Sequence, residues 1–279
     1  MTEAIKLVTF IDIFFVILLV LSSSFSGVFS EIIYFLAFLI PFAMGFYYSK
    51  KLKQKREEIK GALEPEETIL YLDLKRVKSL LPLIPSTVTF VFLASLVSSL
   101  LLSMLGITAP HVEDESIVLM LIYHALIPAV LEEALFRYIP MKVILPYSRR
   151  GCIIYSAFAF ALIHCNFYQM PYAFIAGVIF MLIDVALDSV WPSVILHVIN
   201  NSASIIWIKY CSEELPSIIF VSALLVLATL SLTYVLVNRE KYRQIFSGAF
   251  AKGESGSIGY PPFILLIITC YIAAASLFM

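Results

Sequence analysis

The chain has 279 residues, of which 61% are hydrophobic and 14% charged, with a mean hydropathy of +0.95. A soluble domain carries about 25% charged residues, so a water-soluble globule is excluded and the chain reads as an all-α, polytopic transmembrane helix bundle. The net charge of −1 leaves no basic footprint, and no nucleic-acid partner is expected.

A spanning helix needs about 20 mostly apolar residues. Candidate segments fall at 7–25, 31–49, 79–106, 117–146, 151–167, 171–189, 191–211, 215–238 and 263–279, two of them short, which predicts about eight to nine spans. The start, MTEAIK, runs into an apolar stretch without a cleavage-like site, so a retained first helix is expected. Three regions are expected: N-terminal helices over 1–110 with a cytoplasmic loop at 50–78, a core over 111–211, and C-terminal helices over 212–279. Only a few residues separate 171–189 from 191–211, and that turn is expected to lie inside the membrane.

Lysine and arginine fix the expected orientation, because cytoplasmic loops are enriched in them. With the N-terminus inside, all but two of the 19 basic residues fall in cytoplasmic segments; the exceptions are Lys209, outside, and Arg137, within a helix. The loop HVEDES falls outside. The expected setting is a prokaryotic cell membrane, multi-pass, with a cytoplasmic N-terminus. The four cysteines show no CxxC spacing and read as small buried hydrophobes.

Against this apolar background, LEEALFR places Glu132, Glu133 and Arg137 in mid-helix. An ionisable cluster there is costly and marks function by default. FALIH runs from Phe160 to His164, and HVINN sets His197 four residues before Asn201, on one helix face. Counted at about 1.5 Å per residue, Glu132 and His164 both lie roughly 20 Å from the cytoplasmic surface. Glu133 and Arg137 are spaced to pair, acid before base, which leaves Glu132 free. Asp12 and His124 stand alone and read as structural. Asp184 and Asp188 share a face and are a weaker candidate for an aspartyl dyad.

The ordered set EEALFR, FALIH and HVINN resembles the EExxxR, FxxxH and HxxxN/B motifs of the CAAX protease and bacteriocin-processing family, which includes the type II CAAX prenyl endopeptidases. The resemblance covers about 117–205. It implies an intramembrane endopeptidase in which Glu132 and His164 activate water, His197 and Asn201 stabilise the oxyanion, and Glu133, Arg137 and Phe160 support them. It also implies an active site opening toward the cytoplasm or the inner leaflet. The substrate would be a membrane-associated protein or peptide, prenylated or not, met in a bed of membrane lipid. The short interval from His164 to His197 is closer to the bacterial relatives.

No cofactor is expected, since HExxH is absent; the alternative is zinc on Glu132, His164 and His197, because two histidines and a carboxylate leave a fourth position for water. The rival reading is a non-catalytic immunity or peptide-binding protein that uses the same polar cluster.

Overall fold

The computed structural model describes residues 2–60, 78–106, 116–165 and 168–247. Nine-residue to 33-residue helices account for almost all of it: α1 (Thr2–Ser23), α2 (Val28–Lys60), α3 (Lys78–Met104), α4 (Ile117–Val143), α5 (Arg149–Leu162), α6 (Met170–Leu187), α7 (Trp191–Tyr210), α8 (Glu214–Val237) and α9 (Arg239–Ser247). The expected all-α bundle is what forms.

Six of these helices, α1 to α4, α6 and α8, are long and apolar enough to cross a membrane. The two further core helices depart from that class for visible reasons. α5 has 14 residues, about 21 Å of rise, and ends in a tight turn at Ile163–Cys165 beside His164. α7 carries His197, Asn200, Asn201 and Lys209 along its length. The segment expected at 263–279 lies outside the described residues, as do the patch ILYLDL and most of HVEDES. The expected loop at 50–78 needs correction at its start, because α2 runs through Lys60. At about 50 Å this helix exceeds a hydrocarbon core of about 30 Å, so its lysine-rich end stands beyond the apolar slab.

One core joins α1, α2, the second half of α4, α5 and α6, with Phe15, Phe38, Phe136, Tyr155 and Met181 inside it. A second joins α3, α6 and α7 around Val91, Phe180 and Leu196, with Ile245 and Phe246 of α9 against it. Polar pairs also link helices, as they do where lipid supplies no hydrophobic drive between them. Tyr155 donates to Asp12 Oδ2 at 2.7 Å, so Asp12 is structural, as expected, but has a partner. At the α6–α7 turn Ser189, Val190 and Ser193 are buried within the protein, and the Ser193 amide donates to Asp184 Oδ1 at 3.0 Å.

α5 and α6 approach closely because Gly177 has no side chain; a Cβ there would stand 2.9 Å from Ala157 Cα. Gly177→Ala is therefore expected to cost about 1–3 kcal/mol through overpacking. Its melting temperature in detergent should fall, and an unchanged value would show that α5 and α6 can separate freely.

Candidate active site

Helix α4 is not a regular α-helix, and its irregularities build the site. It widens to π-type turns at Leu121–Leu126 and Ala134–Tyr138, each just ahead of a proline, Pro128 and Pro140. Proline has no N–H to give the carbonyl four residues earlier, and a carbonyl released within a membrane needs another donor. The carbonyl of His124, four before Pro128, accepts from Asn201 Nδ2 at 3.3 Å. The carbonyl of Phe136, four before Pro140, accepts from Ser156 Oγ and from Arg137 Nη1. Two prolines thus tie α4 to α7 and to α5 on either side of the paired glutamates.

The glutamates part company as the helical geometry requires, successive residues being about 100° apart. Glu133 is fully buried. Its Oε2 lies 3.2 Å from Arg137 Nε, also fully buried, and its Oε1 accepts from His197 Nδ1 at 2.8 Å. Arg137 in turn donates to Ser156 Oγ at 3.2 Å and lies 4.4 Å from the centre of the Phe160 ring. Both site histidines meet that same ring edge-on, His164 at 5.0 Å and His197 at 5.6 Å between centres. Phe160 is the common support of the arginine and the two imidazoles.

Glu132 faces the other way, into a cavity of about 320 Å³ that His164, His197 and Asn201 also line. Its Oε2 is 3.9 Å from His197 Nε2 and has no hydrogen-bond partner. His164 Nδ1 is 2.7 Å from the Phe160 carbonyl, which only accepts, so Nδ1 carries the proton and Nε2 is left for the cavity. His197 follows the same logic: Nδ1–H is committed to Glu133, and Nε2 faces Glu132.

All four residues expected to be catalytic therefore reach one cavity, with two revisions. No direct hydrogen bond joins Glu132 to His164; at about 30 Å³ per water, the cavity has room for several waters between them. His197 also makes a closer contact with the glutamate pair than the oxyanion role alone required.

Several lining residues escaped the sequence reading. Asn200 lines the cavity with a buried, unpartnered Oδ1; it stands three residues after His197, a spacing that shares a face as the four-residue one does. His124, read as structural, lines the cavity as well. Tyr34 and Tyr172 do so too and had no motif to flag them. The Asp184–Asp188 dyad does not form: Asp184 is buried against Ser193, and Asp188 ends α6 exposed, with φ of 49°.

Zinc on Glu132, His164 and His197 would require the three to close on one point. Among the described residues no three His, Cys, Asp or Glu side chains stand where they could share an ion, so the donor set is not assembled for it.

The cavity has a direction. Its buried lining, Phe160, Phe180, His197 and Asn200, lies deep, while Tyr123 and His124 near the start of α4 and Gln169 and Tyr172 at the start of α6 form its partly or fully exposed rim. Beneath it, Glu133, Arg137, Asp184 and Ser193 make a layer with no exposed surface. A second cavity of about 240 Å³, holding Ser22, Ser30 and Glu31, adjoins it through the shared Tyr34 and Tyr123.

Comparison with known proteins bears on this core alone. No curated protein and no solved structure matches the chain. One family model does, over residues 114–203, the stretch that carries the glutamate pair, both histidines and both asparagines. Over that segment this multi-helix membrane protein is similar to the family described as type II CAAX prenyl endopeptidase Rce1-like.

Proposed function

We propose that the protein is an intramembrane endopeptidase, hydrolysing a peptide bond of a membrane-associated protein or peptide with water activated by glutamate and histidine. The observation that carries this reading is the division of labour between the adjacent carboxylates. Glu133 is held by Arg137 at 3.2 Å and His197 at 2.8 Å, whereas Glu132 lines the cavity of about 320 Å³ with its nearest ion-pair partner, His197, 3.9 Å away.

Peptide hydrolysis needs a base for water and donors for the developing oxyanion. Glu132 is the base. His164, held by its Nδ1–H on the Phe160 carbonyl, orients the water through Nε2. His197 is oriented by its Nδ1–H on Glu133; as the imidazolium, with both ring nitrogens protonated, it turns Nε2–H to the oxyanion. The Asn201 amide, already a donor to the His124 carbonyl, has a second N–H for the oxyanion. Glu132 then returns the proton to the leaving amine. Every step uses groups of the chain and water.

Cleavage in membranes suspended in ¹⁸O-labelled water tests the reaction: each new peptide C-terminus should carry the label, and no labelled terminus above that of membranes lacking the protein would overturn the proposal. Turnover is further expected to survive a chelator. Loss of activity on chelation, restored by stoichiometric zinc, would replace proton abstraction by metal chemistry.

A further inference from the structure

Helix α7 brings three polar side chains to the cavity wall, His197, Asn200 and Asn201, and the reaction above uses the first and the last. Asn200 stands between them in sequence but not in direction. At about 100° per residue, Asn201 lies roughly 40° to one side of His197, toward α4, where its Nδ2 donates to the His124 carbonyl at 3.3 Å. Asn200 lies roughly 60° to the other side, toward α6, where Leu196 and Ala203 join Ala176 and Phe180 in the second core. Ala173, Ala176 and Phe180 of α6 line the same cavity. The Asn200 side chain is only 9% exposed, and its Oδ1 has no hydrogen-bond partner among the described residues. A polar residue kept in a membrane to join two helices would bond that oxygen to its neighbour. A buried carbonyl without a donor is an exception that asks for a cause.

A peptide entering this site leaves water and brings its own main-chain groups. The scissile carbonyl is met by His197 and Asn201, which donate. The N–H groups flanking that bond need acceptors, because a main-chain donor left unpaired away from water is costly. Glu132 is engaged with the attacking water. The terminal torsion of asparagine is soft, and no hydrogen bond holds Oδ1 where it stands, so the amide turns its carbonyl toward the cavity without breaking a bond at that atom. From this we infer that Asn200 is a substrate-binding residue: its side-chain carbonyl accepts a main-chain N–H next to the bond that is cut. The inference deepens the proposed function and rests on it for the word substrate. It narrows the substrate class to chains with an N–H at that position, and a proline there, which has none, bars cleavage. The two asparagines divide their roles about His197, Asn201 donating to the oxyanion and Asn200 accepting from the main chain.

The probes are synthetic peptides spanning the bond that gains most new termini in membranes carrying the wild-type protein. One is the parent; in each of the others an ester replaces one flanking amide, which removes that N–H and leaves the scissile amide intact. Cleavage is measured in detergent for the wild type, Asn200→Leu and Glu132→Gln. Asn200→Leu removes the carbonyl at similar volume and should melt as the wild type does. Its kcat/KM for the parent should be lower by about tenfold, carried by KM, as a contact made both before and during the chemical step requires. One ester should lower cleavage by the wild type by a similar factor and make no further difference to Asn200→Leu. Asn200→Ala replaces that variant if it fails to accumulate. Equal cleavage of the parent by wild type and Asn200→Leu, an ester series that leaves the wild type unaffected, or an ester loss that persists in full in the variant overturns the inference while Glu132-dependent cleavage stands. No cleavage by the wild type, or equal cleavage by Glu132→Gln, overturns the hydrolase reading and the substrate role together.

Discussion

Glu132→Gln abolishes measurable turnover in a protein that still folds. The substitution keeps the shape and much of the hydrogen-bonding capacity of the side chain and removes its ability to take a proton. General-base catalysis contributes about 10²–10⁴-fold, and that is the loss expected in kcat. Stability should barely move, because Glu132 has no ion-pair partner closer than His197 at 3.9 Å and its Oε2 accepts no hydrogen bond. A non-catalytic binding protein would tolerate this change, so equal function in the two forms favours the binding reading. Cleavage rate and melting temperature, measured on one detergent preparation, decide between them.

Glu133→Gln gives the opposite signature. It leaves the Arg137 guanidinium buried without a counter-charge and removes the carboxylate that accepts from His197 Nδ1. Breaking a buried pair by deleting one partner costs on the order of 3–5 kcal/mol, and some of that should show as poor accumulation in the membrane. Activity falls together with stability, since His197 loses the group that orients it. Arg137→Gln should behave similarly, strengthened by the loss of its position over the Phe160 ring. If Glu133→Gln melts like the wild type while Glu132→Gln unfolds, the two assignments are exchanged.

Much of this site was legible in sequence because each motif falls within one helix, where spacing dictates facing. The step from Glu133 to Arg137 predicted their pair, and the step from His197 to Asn201 placed both on the cavity wall. Between helices, spacing says little. Nothing in HVINN announced that His197 would bond to Glu133 on α4, because that contact depends on where the α6–α7 turn places α7, and that placement depends on Asp184 holding the Ser193 amide. The two prolines of α4 were visible from the start, yet the use of their released carbonyls depends on which donors Ser156 and Asn201 bring from neighbouring helices. The helical class and most spans followed from hydropathy alone. α5 and α7 sit less comfortably in that scheme, since one is cut short at the site and the other carries the site's polar groups.

The most direct test of hydrolysis by Glu132 is a comparison of peptide termini in membranes from cells that carry the wild-type protein, the Glu132→Gln variant at matched abundance, or neither. New termini should appear with the wild type and be missing from both other samples. Identical termini in wild-type and Glu132→Gln membranes, present in excess over membranes without the protein, would contradict the role given to Glu132, and no difference among the three would contradict proteolysis itself.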